Sequence, residues 1–278
     1  MLTPDAVAQV RELAAAVKDA DREQPLNEDA TLALTADDPD VTHHLEYADG
    51  ELAGYAQRNA RHGTAQMFVR PDQRRRGIGR TLLGAVPDSG VWAFGDLDAA
   101  HRFASATNLV ERRRLLVMQR RLEAPSGDDH PGIRTFDPAT DTDQFLALNA
   151  EAFAWHPEQA HFSRADLNAR LGEDWFDPAG FLVADDAEGL TGFHWTKRHP
   201  DGRGEVYILA THPRAQGTGL GRRLLAAGLD HLAAKGCPTV HLYVEASNVR
   251  AVELYDRAGF AVVHSDVLYG PAAESSQE

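Results

Sequence analysis

Twice in this chain an apolar run ends near a proline, and three residues on comes Arg or Gln, then Gly-x-Gly, then a helical stretch. Pro71, Arg74, Gly77 and Gly79 make the first copy; Pro213, Gln216, Gly219 and Gly221 make the second, each 142 positions further on. A repeat of that length denotes duplicated domains, because solenoid periods run to only about 20–50 residues. The chemistry of the loop follows from its residue types. A helix start offers unpaired N–H groups and the positive end of the helix dipole. Glycines carry no Cβ, so an anion can rest against bare amides. Arg75, Arg76 and Arg80 add positive charge to the first copy, and Arg222 and Arg223 to the second. Both halves therefore read as diphosphate binders. A P-loop would need G-x-x-x-x-G-K-[ST], and no such string occurs. A Rossmann unit turns from strand to glycine at once with G-x-G-x-x-G, whereas here HPRAQ intervenes and the spacing is G-x-G-x-G.

The elements around the two loops follow one order. Pro4 opens a helix running to about Asp19, and a second helix starts at Asn27. A hairpin turns at Asp49-Gly50, a strand covers 64–69, and the loop feeds a helix. Strand 91–94, a helix from Asp98 and a strand from Arg113 complete the half. EAPSGDDHP, from Glu123, is small, polar and proline-containing and marks a linker. The second half repeats the plan: helices at about 141–153 and 163–170, a hairpin over 181–198, strand GEVYILAT, loop and helix, strand TVHLYVE, helix and a last strand. The predicted class is α/β, with two tandem domains, each a mixed, mostly antiparallel sheet flanked by helices. The predicted domains are 1–122 and 132–278, joined by the linker 123–131.

The loop pattern followed by Asn248, Ala251, Tyr255, Gly259 and Phe260 resembles the GNAT acetyltransferases. The resemblance implies acetyl-CoA as acetyl donor. Its diphosphate would rest on Gln216, Gly217, Thr218, Gly219, Leu220, Gly221 and Arg222. Its pantetheine would pair with Leu209, Ala210 and Thr211. The helix start Asn248, Val249, Arg250, Ala251, Val252 and Glu253 would flank the other side. The first copy would offer Met67, Phe68 and Val69, then Arg75, Arg76, Gly77, Ile78, Gly79 and Arg80.

Acetyl transfer to an amine requires a neutral amine, a polarised carbonyl and a proton for the leaving thiolate. In the family a carboxylate on the strand before the loop often takes the amine proton, and a tyrosine on the later helix serves the thiolate. Glu205 and Tyr255 match those positions, as catalytic residues. The first half has Gly63 and Ala104 there instead. It is predicted to be non-catalytic while keeping a diphosphate loop.

AEAFAWHPEQ, GEDWFDPAGF, GFHWTKRHPD and LYVEASNVRAVELY, with the tandem layout, resemble the mycothiol acetyltransferases more narrowly. That resemblance implies acetylation of the cysteinyl amine of a cysteine–glucosamine–inositol conjugate, a small pseudo-disaccharide partner. Glu28, Glu173, Lys197, Glu205 and Tyr243 fall on the family's substrate-contact positions. Trp155, His156 and Pro157 would shape a loop at the substrate mouth. Two alternatives stay open on the sequence: a GNAT enzyme acting on another small amine or a protein N-terminus, and a non-enzymatic CoA-binding sensor.

Composition narrows the partners. A formal charge of -14 does not suit nucleic acid. No stretch approaches 18 apolar residues and no secretion signal is visible, so a cytoplasmic protein without membrane contact is expected; a monomer is compatible with the sequence, which does not fix the oligomeric state. Cys237 is the single cysteine, so no disulfide within the chain is possible, and a structural role is expected for it. His43, His44, His194, His199 and His212 show no helical H-x-x-x-H pair or tight ligand set, and no metal is expected.

Overall fold

Thr3 accepts the amide of Ala6 and Pro4 fills the first turn, which starts helix α1 (Pro4–Asp21) in the computed structural model. The helix stops where Arg22 turns left-handed, φ 65°. Residues 1–154 and 162–272 are described, so Trp155, His156 and Pro157 lie outside the described residues. The chain forms two units, Met1–Leu115 with the stretch from His264 onward, and Leu116–Val263.

In the first unit α1 is followed by α2 (Glu28–Ala33), β1 (Val41–Ala48), β2 (Glu51–Asn59), β3 (Thr64–Val69), α3 (Ile78–Ala85), β4 (Gly90–Ala93), α4 (Asp98–Ala106) and the start of β5 (Leu109–Arg121). Strands β1, β2 and β3 are antiparallel neighbours, and β3 runs parallel to β4. Val10, Leu13 and Val17 of α1 bury one helical stripe against Tyr55 and Phe68 of the sheet.

The second unit contains β6 (Ile133–Thr135), α5 (Thr142–Ala152), α6 (Arg164–Leu171), β7 (Phe181–Asp186), β8 (Gly189–Arg198), β9 (Gly204–Thr211), α7 (Leu220–Ala234), β10 (Thr239–Glu245), α8 (Val249–Arg257) and the start of β11 (Ala261–Pro271). Antiparallel pairing joins β6 to β9 in sequence, and β9 runs parallel to β10. One face holds an aromatic core in which Phe181 stacks on Trp195 at 4.4 Å and Phe145 meets Phe193 edge-on at 4.7 Å. The other holds Leu225, Leu229 and Leu232 of α7 against Val206 and Leu242. The α/β class with mixed, mostly antiparallel sheets and flanking helices is thus present in both units.

The contact division does not follow the linker. Strand β5 begins in the first unit and ends in the second, while β11 begins in the second and ends in the first. Val267, Leu268 and Tyr269 of β11 pair antiparallel with Ala93, Trp92 and Val91 of β4. Both strands are long, 13 and 11 residues: β5 places Leu109 against Val267 and Tyr269 and Met118 in the core of the second unit, while Ala261, Val262 and Val263 at the start of β11 are exposed. Strand β6, inside the residues following the linker, has no counterpart in the sequence reading. No helix among the described residues is long and apolar enough to cross a membrane.

Candidate active site

Glu205 is the second residue of β9, opposite His241 of β10 in the parallel pairing Val240↔Gly204 and His241↔Glu205. Beyond that point the described pairing of Leu209, Ala210 and Thr211 is with His194, Phe193 and Gly192 of β8. The two parallel strands therefore part in the direction of the glycine loop. A diverging edge of this kind can accept an extended ligand that pairs with backbone. The first unit has the same arrangement: β3 pairs with β2 along all of Thr64–Val69 but with β4 only at Thr64, Ala65 and Gln66.

Glu205 is buried, with 6 % of the residue exposed. Its Oε2 lies 2.6 Å from Nε2 of His199 and 3.8 Å from Nε2 of His241. Lys197 faces Glu205 across the β8–β9 pairing and is equally buried. Its Nζ stands 4.5 Å from the ring centroid of Trp175 and 5.2 Å from that of Tyr207, a cation–π setting. Arg170 of α6 donates to the Tyr207 hydroxyl at 2.7 Å and steadies that wall. Tyr243 follows His241 by two residues and shares its strand face; their rings meet edge-on at 5.7 Å. Burial pushes the His241 pKa down, so the ring stays neutral beside the carboxylate.

Sequence reasoning reached Glu205, Lys197 and Tyr243, and the fold brings them together. Glu173 lies exposed in the turn after α6, two residues before Trp175. Glu28 belongs to the first unit and opens α2 behind its N-cap Asn27. His241, Trp175 and Tyr207 were not found by sequence reasoning. The alternation His241–Tyr243–Glu245 was the available signal for the first, since it sets one strand face.

His199, Glu205 and His241 have potential ligand atoms within 4.8 Å of one another. His241 joins the other two only through the β9–β10 pairing, which no spacing of histidines along the sequence reveals. A metal-ligating imidazole normally gives its outer nitrogen to an acceptor. Nδ1 of His241 is buried without a partner, and Oε2 already accepts from His199. The donor set fits a hydrogen-bonded carboxylate better than an ion site.

The second glycine loop joins β9 to α7. Gly217 and Gly219 take φ 79° and 83°, left-handed values that glycine adopts without a Cβ penalty. Gly219 is the N-cap and supplies no side-chain cap; the Leu220 amide donates to Thr218 Oγ1 at 3.4 Å, while the amides of Gly221 and Arg222 meet no side-chain acceptor. Thr218 Oγ1 donates to Ala215 O at 2.7 Å and closes the turn. Gln216 accepts from Arg250 of α8, which ties the loop to the helix opened by Asn248. In that helix Asn248 accepts the amide of Ala251, and Val249, Val252 and Glu253 form the first turns. Tyr255 of α8 is 7 % exposed and packs with Phe260; burial holds its pKa well above the ordinary value.

The first loop is similar in outline. Arg75 and Gly77 are left-handed, and Gly77 caps α3 ahead of Ile78, Gly79 and Arg80. Here Arg74 is engaged with Asp21 at 2.7 Å and Arg80 donates to Ala106 O, whereas Arg76 is exposed. Gly63 sits in the turn before β3, and Ala104 is buried in α4 against Val267 and Tyr269.

The acetyltransferase (GNAT) family matches residues 147–260, and an acetyltransferase (GNAT) domain matches residues 12–91. Over nearly its full length the chain is similar to mycothiol acetyltransferases. It is 41% identical to that of Actinosynnema mirum, with 96% of each chain covered. It is 43% identical to that of Thermobispora bispora, again with 96% of each covered. The chain belongs to the mycothiol acetyltransferase family. Solved structures support the tandem fold of this family member. A GCN5-related N-acetyltransferase from Sphaerobacter thermophilus superposes with TM-score 0.75 at 24% identity, covering 96% of this chain and 93% of that one. A tandem GNAT protein from the clavulanic acid biosynthesis pathway does so at 0.68 and 18% identity, with 96% of each covered. The family makes the chain an acetyltransferase of the GNAT type, for which acetyl-CoA is the donor.

Proposed function

We propose that this chain transfers the acetyl group of acetyl-CoA to the cysteinyl amine of desacetylmycothiol, giving mycothiol, and that the second unit carries the chemistry. Family membership supports the substrate. The observation that carries the site is Glu205, a buried carboxylate at the point where β9 and β10 part, with the glycine loop at the far end of β9. An α-amino group has a pKa of about 7.7–8.0, so a carboxylate suffices to remove its proton near neutral pH. A backbone N–H near Leu209 polarises the thioester carbonyl. Tyr255 keeps its proton at neutral pH and donates it to the departing thiolate. Lys197 and Tyr243 bond the hydroxyls of the sugar or inositol, and Glu173 adds a contact from the turn after α6. The first unit is a derived domain, with loop contacts from Arg75 to Arg80 and from Met67 to Val69 but no counterpart of Glu205 or Tyr255. The predicted partition at the linker 123–131 is retained as a functional boundary between the two GNAT domains.

The test is turnover of purified protein with acetyl-CoA and the desacetyl thiol conjugate, read as N-acetyl product by mass spectrometry. No product there, with product from another amine, would replace the substrate. Tyr255→Phe is expected to lower kcat about tenfold and leave the KM for acetyl-CoA unchanged. The effect is modest because a thiol of pKa about 8.5 leaves readily even without an acid. An unchanged kcat would remove Tyr255 from the mechanism. The loop carries its own expected result. Gly219→Val forces a β-branched residue into φ 83° at the proposed diphosphate cradle. Acetyl-CoA affinity measured by calorimetry should fall at least about tenfold, by loss of the preformed amide geometry. Wild-type affinity in a folded Gly219→Val protein would move the diphosphate elsewhere.

A further inference from the structure

We infer that His199 is a positioning residue for the proposed base: its Nε2–H holds Oε2 of Glu205, so that the other carboxylate oxygen is presented to the amine in charged form. This rests on the reading of Glu205 as base.

The turn between β8 and β9 leaves His199 little freedom. Its amide donates to Arg203 O at 2.8 Å, and its carbonyl accepts from Gly202 at 2.9 Å. Asp201 caps the turn by accepting the amide of Arg203 at 3.0 Å and the guanidinium at 2.8 Å. The ring is thereby aimed at β9, where Glu205 comes six residues later. Its side chain is 25 % exposed while that of Glu205 is 8 % exposed. One imidazole thus bridges solvent and a buried carboxylate.

The groups around the pair define what each can do. Lys197 faces Glu205 from β8, and its ammonium sits over Trp175 and Tyr207. Asp201 and Arg203 pair with each other in the turn. From β10, His241 approaches Oε2 no closer than 3.8 Å, beyond hydrogen-bond range, and Tyr243 packs on His241. The hydrogen bond that Oε2 accepts comes from His199. A buried carboxylate without such a donor drifts toward its neutral form, and a neutral acid takes no proton from an ammonium. A donor to the charged form reverses that drift.

The experiment compares pH–rate profiles of kcat/KM for wild type, His199→Ala, His199→Phe, His199→Gln and Glu205→Gln. His199→Phe keeps the ring volume against His241 and removes the N–H, which guards against a variant that fails to fold. The expected result is an acid limb displaced upward by about one pH unit in His199→Ala and His199→Phe. On the acid side of the limb kcat/KM should fall about tenfold and recover above it, with the acetyl-CoA KM unchanged, and His199→Gln, which keeps an N–H donor, should restore most of the limb. A uniform loss at every pH, with the limb in place, would show a packing role and overturn the inference. So would loss of wild-type turnover on dialysis against a chelator, because the imidazole would then be engaged with an ion. Full activity in Glu205→Gln would defeat the base reading itself; an inactive Glu205→Gln beside unshifted His199 variants would defeat the positioning role alone.

Discussion

Glu205→Gln is expected to lower kcat at pH 7 by about two to four orders of magnitude, with acetyl-CoA affinity unchanged. The amide keeps the size of the carboxylate, and its oxygen can still accept from Nε2 of His199. What it loses is the ability to take a proton. The amine then has to arrive already neutral, and at pH 7 only about a tenth of an α-amino group of pKa near 8 is neutral. The deficit should therefore shrink as pH rises through about 8 to 9, where the free amine becomes the main species. A Glu205→Gln protein as active as wild type at pH 7, or one with a deficit independent of pH, would remove Glu205 from the role of base.

The second large effect concerns stability. His194 lies on β8 with 0 % exposure, and its Nδ1 donates to Leu224 O of α7 at 2.8 Å. The ring fills the space left by Gly228, where a Cβ would come within 2.1 Å of it. Nε2 is buried without a partner, so an imidazolium there would have an unsatisfied charged N–H. Burial holds its pKa down to about 4. The unfolded chain takes up this proton near pH 6.5, so between about 6.5 and 4 the unfolded state binds more protons than the folded one. The stabilisation is complete above pH 6.5 and is lost as pH falls toward 4, at about 1.4 kcal/mol per pH unit, or about 3 kcal/mol in all. Burial also depresses His231 and His241, which adds to the same slope. Urea midpoints measured from pH 7 to pH 4 should show this fall, and His194→Gln should be less stable at pH 7 but less sensitive to acid. Equal slopes in the two proteins would mean that His194 protonates freely in the native state.

What the sequence makes legible is what lies close together along it. The glycine loops could be read because strand, proline, glycines and helix start fall within a dozen residues and each residue type answers one local need. The alternation in GEVYILAT and TVHLYVE located the two strands that part at Glu205. The pair His199–Glu205 required the length and register of a turn, and His241 required a parallel pairing after a crossover through α7. Neither is set by any local pattern. The aromatic wall of Trp175 and Tyr207 around Lys197 draws on a turn after α6 and two strands, so its members look like ordinary core residues in isolation. Strand β6 is three residues long and follows a proline-containing segment, too little for a period of two to register.

The crossing of β5 and β11 bears on how the protein is made. A ribosome delivers residues 1–115 first, yet β4 gains Val267, Leu268 and Tyr269 as neighbours only after the whole second unit has been synthesised. The unit that leads in sequence is thus the last to be completed. A nascent chain paused at the linker would hold α1 and the β1–β3 meander with one side of β4 still bare, in need of protection until translation ends.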